Sequence, residues 1–238
     1  MFYQNSNHLS WKYDLLQNLR PIITGANGFI GGFLQNQLES CGVSYDTLNR
    51  NFLDSKENNL DTSPKCLLHL AAIAHKAASA EEFRSVNADY PVMLVRHLIN
   101  FGLKRVVFVS SIGVYGLSTS NNPIAEHSPL NPKEDYALAK KTAELALKEV
   151  CIENDIDLII LRPVLVYGDG APGNLRRLAE LVQKLPVVPF GSAKAPRTMV
   201  HVEDLVDVII ASCNKTGRLN GVFNVAENEG VSTSTLVK

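Results

Sequence analysis

The sequence lacks what several large classes of protein require. No apolar run in its 238 residues approaches the roughly 20 that a membrane helix needs. Met1 to Ser10 has no basic start followed by an apolar core, so no secretory signal is expected. Basic residues do not outnumber acidic ones, 23 against 24, and no basic stripe occurs. A nucleic-acid partner is therefore not expected, because phosphate neutralisation dominates such binding. Cysteine is scarce: Cys41, Cys66, Cys151 and Cys213 are widely spaced in apolar or helical contexts. Neither a zinc-ligand pair nor a disulfide framework is suggested, and the expectation is free thiols in a reducing cytoplasm. Internal repeats and low-complexity tracts are also missing.

What is present is ordinary globular material, 45% hydrophobic and 20% charged, enough for one large domain or a domain and a half. The most informative stretch is Thr24-Gly25-Ala26-Asn27-Gly28-Phe29-Ile30-Gly31. Pro21-Ile22-Ile23 before it is short and apolar, as a buried strand would be. Phe29, Ile30, Phe33, Leu34 and Leu38 after it recur at helical spacing. Glycine permits unusual backbone angles and lets amides approach a phosphate, which the positive end of the helix then faces. Alone, the trio is equally a tight strand–helix turn.

From there strands and helices alternate. Strands are expected at Val43 to Leu48, Lys65 to Ala72, Arg105 to Ser110, Asp157 to Leu161 and Gly221 to Val225. Helices are expected from the glycine turn to Ser40 and over 80–101, 134–154, 175–185 and 203–213, with Ser232 capping a new one. Pro186 to Phe190 and Val200 to Val202 are short apolar pieces, and Asn51 to Ser63 is polar and turn-rich. The alternation implies an α/β doubly wound parallel sheet of Rossmann type, with ligands beyond the carboxyl ends of the strands. A small C-terminal substrate-binding part follows. The expected division is an N-terminal extension over 1–19, a dinucleotide-binding domain over 20–168, and a partial substrate-binding region over 169–238 interleaved with the sheet.

Two sets of residues carry chemistry. Tyr136 and Lys140, four apart, share one helix face. A tyrosine is a poor base at neutral pH, and a nearby ammonium favours its phenolate. Such pairs are common on helix surfaces, and alone this one reads as ordinary. Ser110-Ser111 ends the strand at Val109, where a hydroxyl points into the ligand crevice; Ser111 could hold a substrate oxygen beside Tyr136, or simply cap a turn. His75 and His127 have no metal-like partners in the sequence, and no metal is expected.

Several motifs now stand in order: Thr24 to Gly31; His69-Leu70-Ala71-Ala72; Asn87 to Pro91; Val109 to Gly116; Tyr136 to Lys140; Leu161-Arg162-Pro163 to Tyr167-Gly168; His201 to Val206. Together they resemble the extended short-chain dehydrogenase/reductase superfamily, in its NAD-dependent epimerase/dehydratase branch, with UDP-glucose 4-epimerase-like proteins nearest. The resemblance covers about residues 20 to 237. It implies that Gly25, Gly28 and Gly31 cradle the NAD pyrophosphate, lined by Asn27, Phe29 and Ile30. Leu70, Ala71 and Ala72 would border its adenosine side, and Pro163 and Val166 its nicotinamide. Ser111, Tyr136 and Lys140 would form the catalytic triad, with Tyr136 and Lys140 also touching cofactor and Ser111 also touching substrate. Asn174 and Arg197 would hold the substrate diphosphate; a guanidinium fork suits that task. Asn87 would fix the central helix, and His201 would pack and hydrogen-bond rather than react.

The departures are as instructive. An acidic residue normally ends the second strand when the cofactor is NAD; here Asn49-Arg50 stands there. Arg50 could meet a 2′-phosphate, so NADP is an alternative, and Asp54 is a weaker adenine contact. Ile112-Gly113 stands where dehydratases of this branch carry acids, which disfavours a 4,6-dehydratase. The resemblance also implies several dozen further residues, so the substrate part is expected to be truncated. The leading expectation is a nucleotide-sugar 4-epimerase for a UDP-hexose or UDP-N-acetylhexosamine, and a homodimer. The alternatives are an NAD(P)H-dependent 4-keto-sugar reductase and a non-catalytic dinucleotide-binding scaffold.

Overall fold

The computed structural model describes residues 20–54, 65–74, 77–117, 120, 122–184, 196–227 and 230–236. The extension over 1–19, most of the polar 51–63 segment, His75 and Pro186 to Phe190 lie outside the described residues, as do the side chains of Asp54 and Asn174.

The first strand, β1 (Ile22–Thr24), leads through the glycine turn into α1 (Phe29–Ser40) and then β2 (Asp46–Leu48). β2 is shorter than expected because the Val43 amide turns back to close α1 through the Leu38 carbonyl. Next come β3 (Cys66–His69), the helix α2 over 80–99, β4 (Arg105–Val109), α3 (Asp135–Glu153) and β5 (Asp157–Pro163). β5 runs on through Arg162 and Pro163, two residues past its expected end at Leu161; Pro163 is its last residue, and Glu144 satisfies the buried guanidinium of Arg162. After β6 (Leu165–Tyr167) the chain forms α4 (Asn174–Lys184), β7 (Pro196–Arg197), β8 (Met199–His201), α5 (Val202–Asn214) and β9 (Gly221–Val225). β10 (Val231–Ser232) and the single turn α6 (Thr233–Leu236) end the description, with Ser232 Oγ accepting from the Thr235 amide as a cap.

Six strands form one parallel sheet in the order β2-β1-β3-β4-β5-β9. Adjacent residues of each strand face opposite layers. Ile23, Val107 and Ile159 pack with Leu34 and Leu38 of α1 and Leu205 and Ile209 of α5. Ile22, Val106 and Phe108 pack with Leu94 and Leu98 of α2 and Leu147 and Val150 of α3. The chain leaves β1 for one side and returns to β3 on the other, so a crevice opens beyond their carboxyl ends.

α2 is not regular throughout. Arg84–Asp89 forms a π turn between two α-helical parts. Asn87 lies in that wider turn and is fully buried. Its side chain binds the Ile73 backbone twice: Oδ1 accepts from the amide at 2.7 Å and Nδ2 donates to the carbonyl at 2.9 Å. The wider turn thus pins the loop after β3 to α2, and π turns of this kind collect at functional sites.

Candidate active site

The glycine turn is built by exclusion. Gly25 has φ +74°, and a Cβ there would lie 2.6 Å from the Ala71 amide nitrogen. A Cβ on Gly31 would overlap the carbonyl oxygens of Gly25 and Ala26, so only glycine lets α1 start this close to β1. The Gly28 amide donates to the Gly25 carbonyl at 2.9 Å. Gly28 caps α1 without a side chain, and no acid occupies the first turn, so the helix's positive end is not neutralised from within. Asn27 is exposed, and Phe29 and Ile30 are half-buried. Leu70, Ala71 and Ala72 are half-buried across the crevice, where the Leu70 amide donates to the Thr24 carbonyl.

Ser111 follows β4. It caps the single 3-10 turn Ile112–Tyr115, and the Gly113 amide donates to Ser111 Oγ at 3.1 Å. That leaves the hydroxyl proton to donate. Gly113 seats this turn against α3: a Cβ there would sit 3.3 Å from Ser111 Oγ and 3.5 Å from the Ala137 methyl. Ser111 therefore flanks the first turn of α3, where Tyr136 stands half-buried with its ring edge against Phe83. Lys140, one turn on, is buried; Nζ donates to the Val109 carbonyl at 2.8 Å and lies over the Phe108 ring.

The electrostatics differ from the sequence expectation. Burial pushes Tyr136 up to about 12, and no lowering by Lys140 offsets it. Lys140 Nζ gives one of its three donors to the Val109 carbonyl, and burial brings it down to about 7 against an upward pull from Glu144. His69 is brought down to about 3 by burial and by the charge of Lys140, against a bond with the Ala71 backbone, so it is neutral at working pH.

The other expected residues are distributed as follows. Pro163 is buried at the end of β5, and Val166 lies in β6, paired with Val200. Arg50 is exposed in the turn after β2, and Asp54 ends a 3-10 turn beyond it. Asn174 opens α4, and Arg197 is exposed in β7, paired with Val231 of β10. His127 is exposed; His201 caps α5 by accepting from the Glu203 amide at 3.4 Å and packs on Tyr167. Sequence reasoning missed a buried network behind Lys140. Glu144 accepts from Ser110 Oγ and from Arg162, and Arg162 also donates to the Tyr115 hydroxyl at 2.6 Å. Glu144 lies four residues beyond Lys140 on the same face, the one signal that could have exposed it.

A glycine turn thus stands at the carboxyl end of β1, and a serine, a tyrosine and a buried lysine at the carboxyl end of β4, two strands along the same parallel sheet. Residues 22–226 match the model of the NAD dependent epimerase/dehydratase family. The chain belongs to that family. It is 29% identical over 243 residues to a UDP-glucose 4-epimerase of Vibrio cholerae, covering 91% of this chain and 73% of that protein. A dTDP-4-dehydro-6-deoxyglucose reductase of Escherichia coli is 26% identical over 184 residues, covering 73% and 57% of the two chains. The fold matches the crystal structure of a Thermus thermophilus UDP-glucose 4-epimerase in complex with NAD. The TM-score is 0.73 at 24% identity, over 92% of this chain and 81% of that one. Family membership makes this an NAD(P)-dependent enzyme, and the residues fit that cofactor: Gly25 and Gly31 leave room that a Cβ would fill, and the first turn of α1 carries no opposing charge.

Proposed function

We propose that the chain is a nucleotide-sugar 4-epimerase acting on a UDP-hexose or UDP-N-acetylhexosamine through a transient 4-keto sugar. The observation that carries this is the seating of the Ser111 turn against the first turn of α3, at the carboxyl end of β4, with β3 between it and the glycine turn after β1. Bound NAD would supply the acceptance and return of hydride. Ser111 would hold the 4-hydroxyl oxygen by donating its proton, and Tyr136 would take the 4-hydroxyl proton and later give it back. Burial holds Tyr136 protonated, so its work as a base depends on positive charge brought beside it, Lys140 included. Gly25, Gly28 and Gly31 would hold the pyrophosphate. Pro163 and Val166 would flank the nicotinamide, and Leu70, Ala71 and Ala72 the adenosine side. Asn174 and Arg197 would take the substrate diphosphate, from the substrate part over 169–238 that follows the 20–168 dinucleotide-binding domain.

The enzyme would work as a homodimer. Leu138, Leu145 and Ile152, spaced by seven on α3, are 52%, 49% and 80% exposed, and Met93 of α2 is 57% exposed. A heptad-spaced apolar face on a packed helix pair suits a second copy of the same face. Half-buried Cys41 and buried Cys66, Cys151 and Cys213 are free thiols and suit a reducing cytoplasm.

A second reading is an NADPH-dependent 4-keto-sugar reductase, favoured by Arg50, exposed in the turn after β2, whose guanidinium would suit a 2′-phosphate. Incubation with a panel of UDP-sugars and UDP-4-keto sugars, with product identification, separates the two. The epimerase interconverts 4-epimers with no net use of coenzyme. The reductase leaves UDP-sugars unchanged and consumes NADPH with the keto sugars. Conversion of neither class overturns both.

A further inference from the structure

We infer that Glu144 is the positioning residue that favours the charged form of Lys140: its carboxylate, held by Ser110 and Arg162, stands one turn behind Lys140 on the buried face of α3. Three ionisable side chains share this interior. Glu144 is 0% exposed, Lys140 1% and Arg162 2%. The carboxylate accepts from Ser110 Oγ at 2.5 Å, from Arg162 Nε at 3.0 Å and from Arg162 Nη2 at 2.5 Å. Ser110 follows Val109, whose carbonyl takes the Lys140 ammonium, so one strand end fixes both groups.

The charges fall into a defined pattern. A lone buried ammonium loses its proton more readily than it stays charged in a dry interior. Arg162 keeps its charge under all working conditions. Without Glu144, Lys140 would share the interior with an uncompensated cation. With it, the interior holds one carboxylate for two cations. The remaining neighbours supply no negative charge: β4 offers the Val109 carbonyl and the Phe108 ring, β3 the neutral His69, and α3 itself the protonated Tyr136. The upward pull on Lys140 comes from Glu144 alone among the groups that act on it. Arg162 matters because its two donors aim the Glu144 carboxylate; Tyr115, bonded to Arg162 and to Asn224, anchors Arg162 from the other side.

The role of Lys140 rests on the reading of Tyr136 and Lys140 under Proposed function, but its charge can be measured without turnover. The protein is labelled with 13C-lysine, the Lys140 signal is assigned by its loss in Lys140→Met, and its titration is followed by NMR. Glu144→Gln should lower the Lys140 midpoint by about one pH unit or more. Where turnover is measured, the alkaline limb of kcat should fall by the same amount, with KM moving less than kcat. A folded Glu144→Gln with an unmoved Lys140 midpoint overturns the inference, since a merely structural glutamate would lower stability and leave Lys140 alone. If Glu144→Gln does not fold, Glu144→Asp keeps the charge and withdraws it by one methylene: a smaller fall supports the inference and an unmoved midpoint overturns it. Absence of turnover in the wild type would overturn the epimerase reading, while the titration would still decide this one.

Discussion

Thr24 Oγ1 and His69 Nδ1 stand 3.0 Å apart, on residues paired across β1 and β3 at the mouth of the crevice. The other ring nitrogen, Nε2, is buried with no hydrogen-bond partner among the described residues, and the ring stacks on Phe108. A second ring proton would therefore be an unpaired donor on a buried cation near Lys140. His69 is held down to about 3 against 6.5 for a free side chain. Between those values the unfolded chain binds the proton and the folded one does not. Stability is complete above pH 6.5 and falls as pH drops toward 3, by up to about 1.4 kcal/mol per pH unit. Urea unfolding of the wild type and His69→Gln at several pH values should show a steeper acid loss in the wild type. Equal slopes would contradict the assignment.

Lys140 follows the same sign in a higher pH window. Its ammonium is brought down to about 7 from 10.5, so between those values the unfolded chain holds a proton that the folded one has shed. Stability from this group rises with pH across that window, and the full cost of burying the charge is present below it. Lys140→Met should lower turnover by roughly 100-fold or more. Relative to that variant, the wild type should gain stability between pH 7 and 9.5. A constant difference in urea midpoints would mean that Lys140 is not desolvated as found.

Adjacent glycines in α1 make a paired test. A Cβ on Gly31 overlaps the Gly25 and Ala26 carbonyl oxygens, whereas one on Gly32 meets nothing within 4 Å. Gly31→Ala should displace α1 from β1 and weaken NAD binding by roughly tenfold or more, the effect of a lost 1.4 kcal/mol. Gly32→Ala should leave binding intact and stabilise the helix by about 0.5–1 kcal/mol. Calorimetric titration with NAD and thermal melts of the two variants check both halves.

The apolar face of α3 predicts the oligomer. Leu145→Glu with Ile152→Glu should turn a dimer into a monomer by light scattering while preserving the circular dichroism spectrum. A wild type that is already monomeric at the same concentration would contradict the dimer.

Much of this was legible in the residues. The order of elements followed from apolar runs and periodicity, and the glycine cradle from three glycines between a strand and a helix. What was not legible depended on partners distant in sequence. The π turn in α2 exists where Asn87 reaches Ile73. β5 carries on through Arg162 because Glu144, on a different element, satisfies its guanidinium. The Tyr136–Lys140 spacing read as a phenol tuned by an ammonium, but spacing does not reveal that the Val109 carbonyl takes that ammonium or that burial raises Tyr136 to about 12. Arg197 illustrates the same limit from outside the core. Its type suits a diphosphate, yet the strand it occupies is two residues long and exposed.

The central claim is that Tyr136 and bound NAD interconvert 4-epimers through a 4-keto sugar on this chain. The most direct test is incubation of the wild type and Tyr136→Phe with UDP-hexoses and UDP-N-acetylhexosamines carrying deuterium at C4. The account predicts that the wild type forms the 4-epimer with the deuterium still on C4, without net consumption of coenzyme, and that Tyr136→Phe forms none. Loss of the label to solvent, equal conversion by Tyr136→Phe, or no epimer from any of these sugars would contradict it.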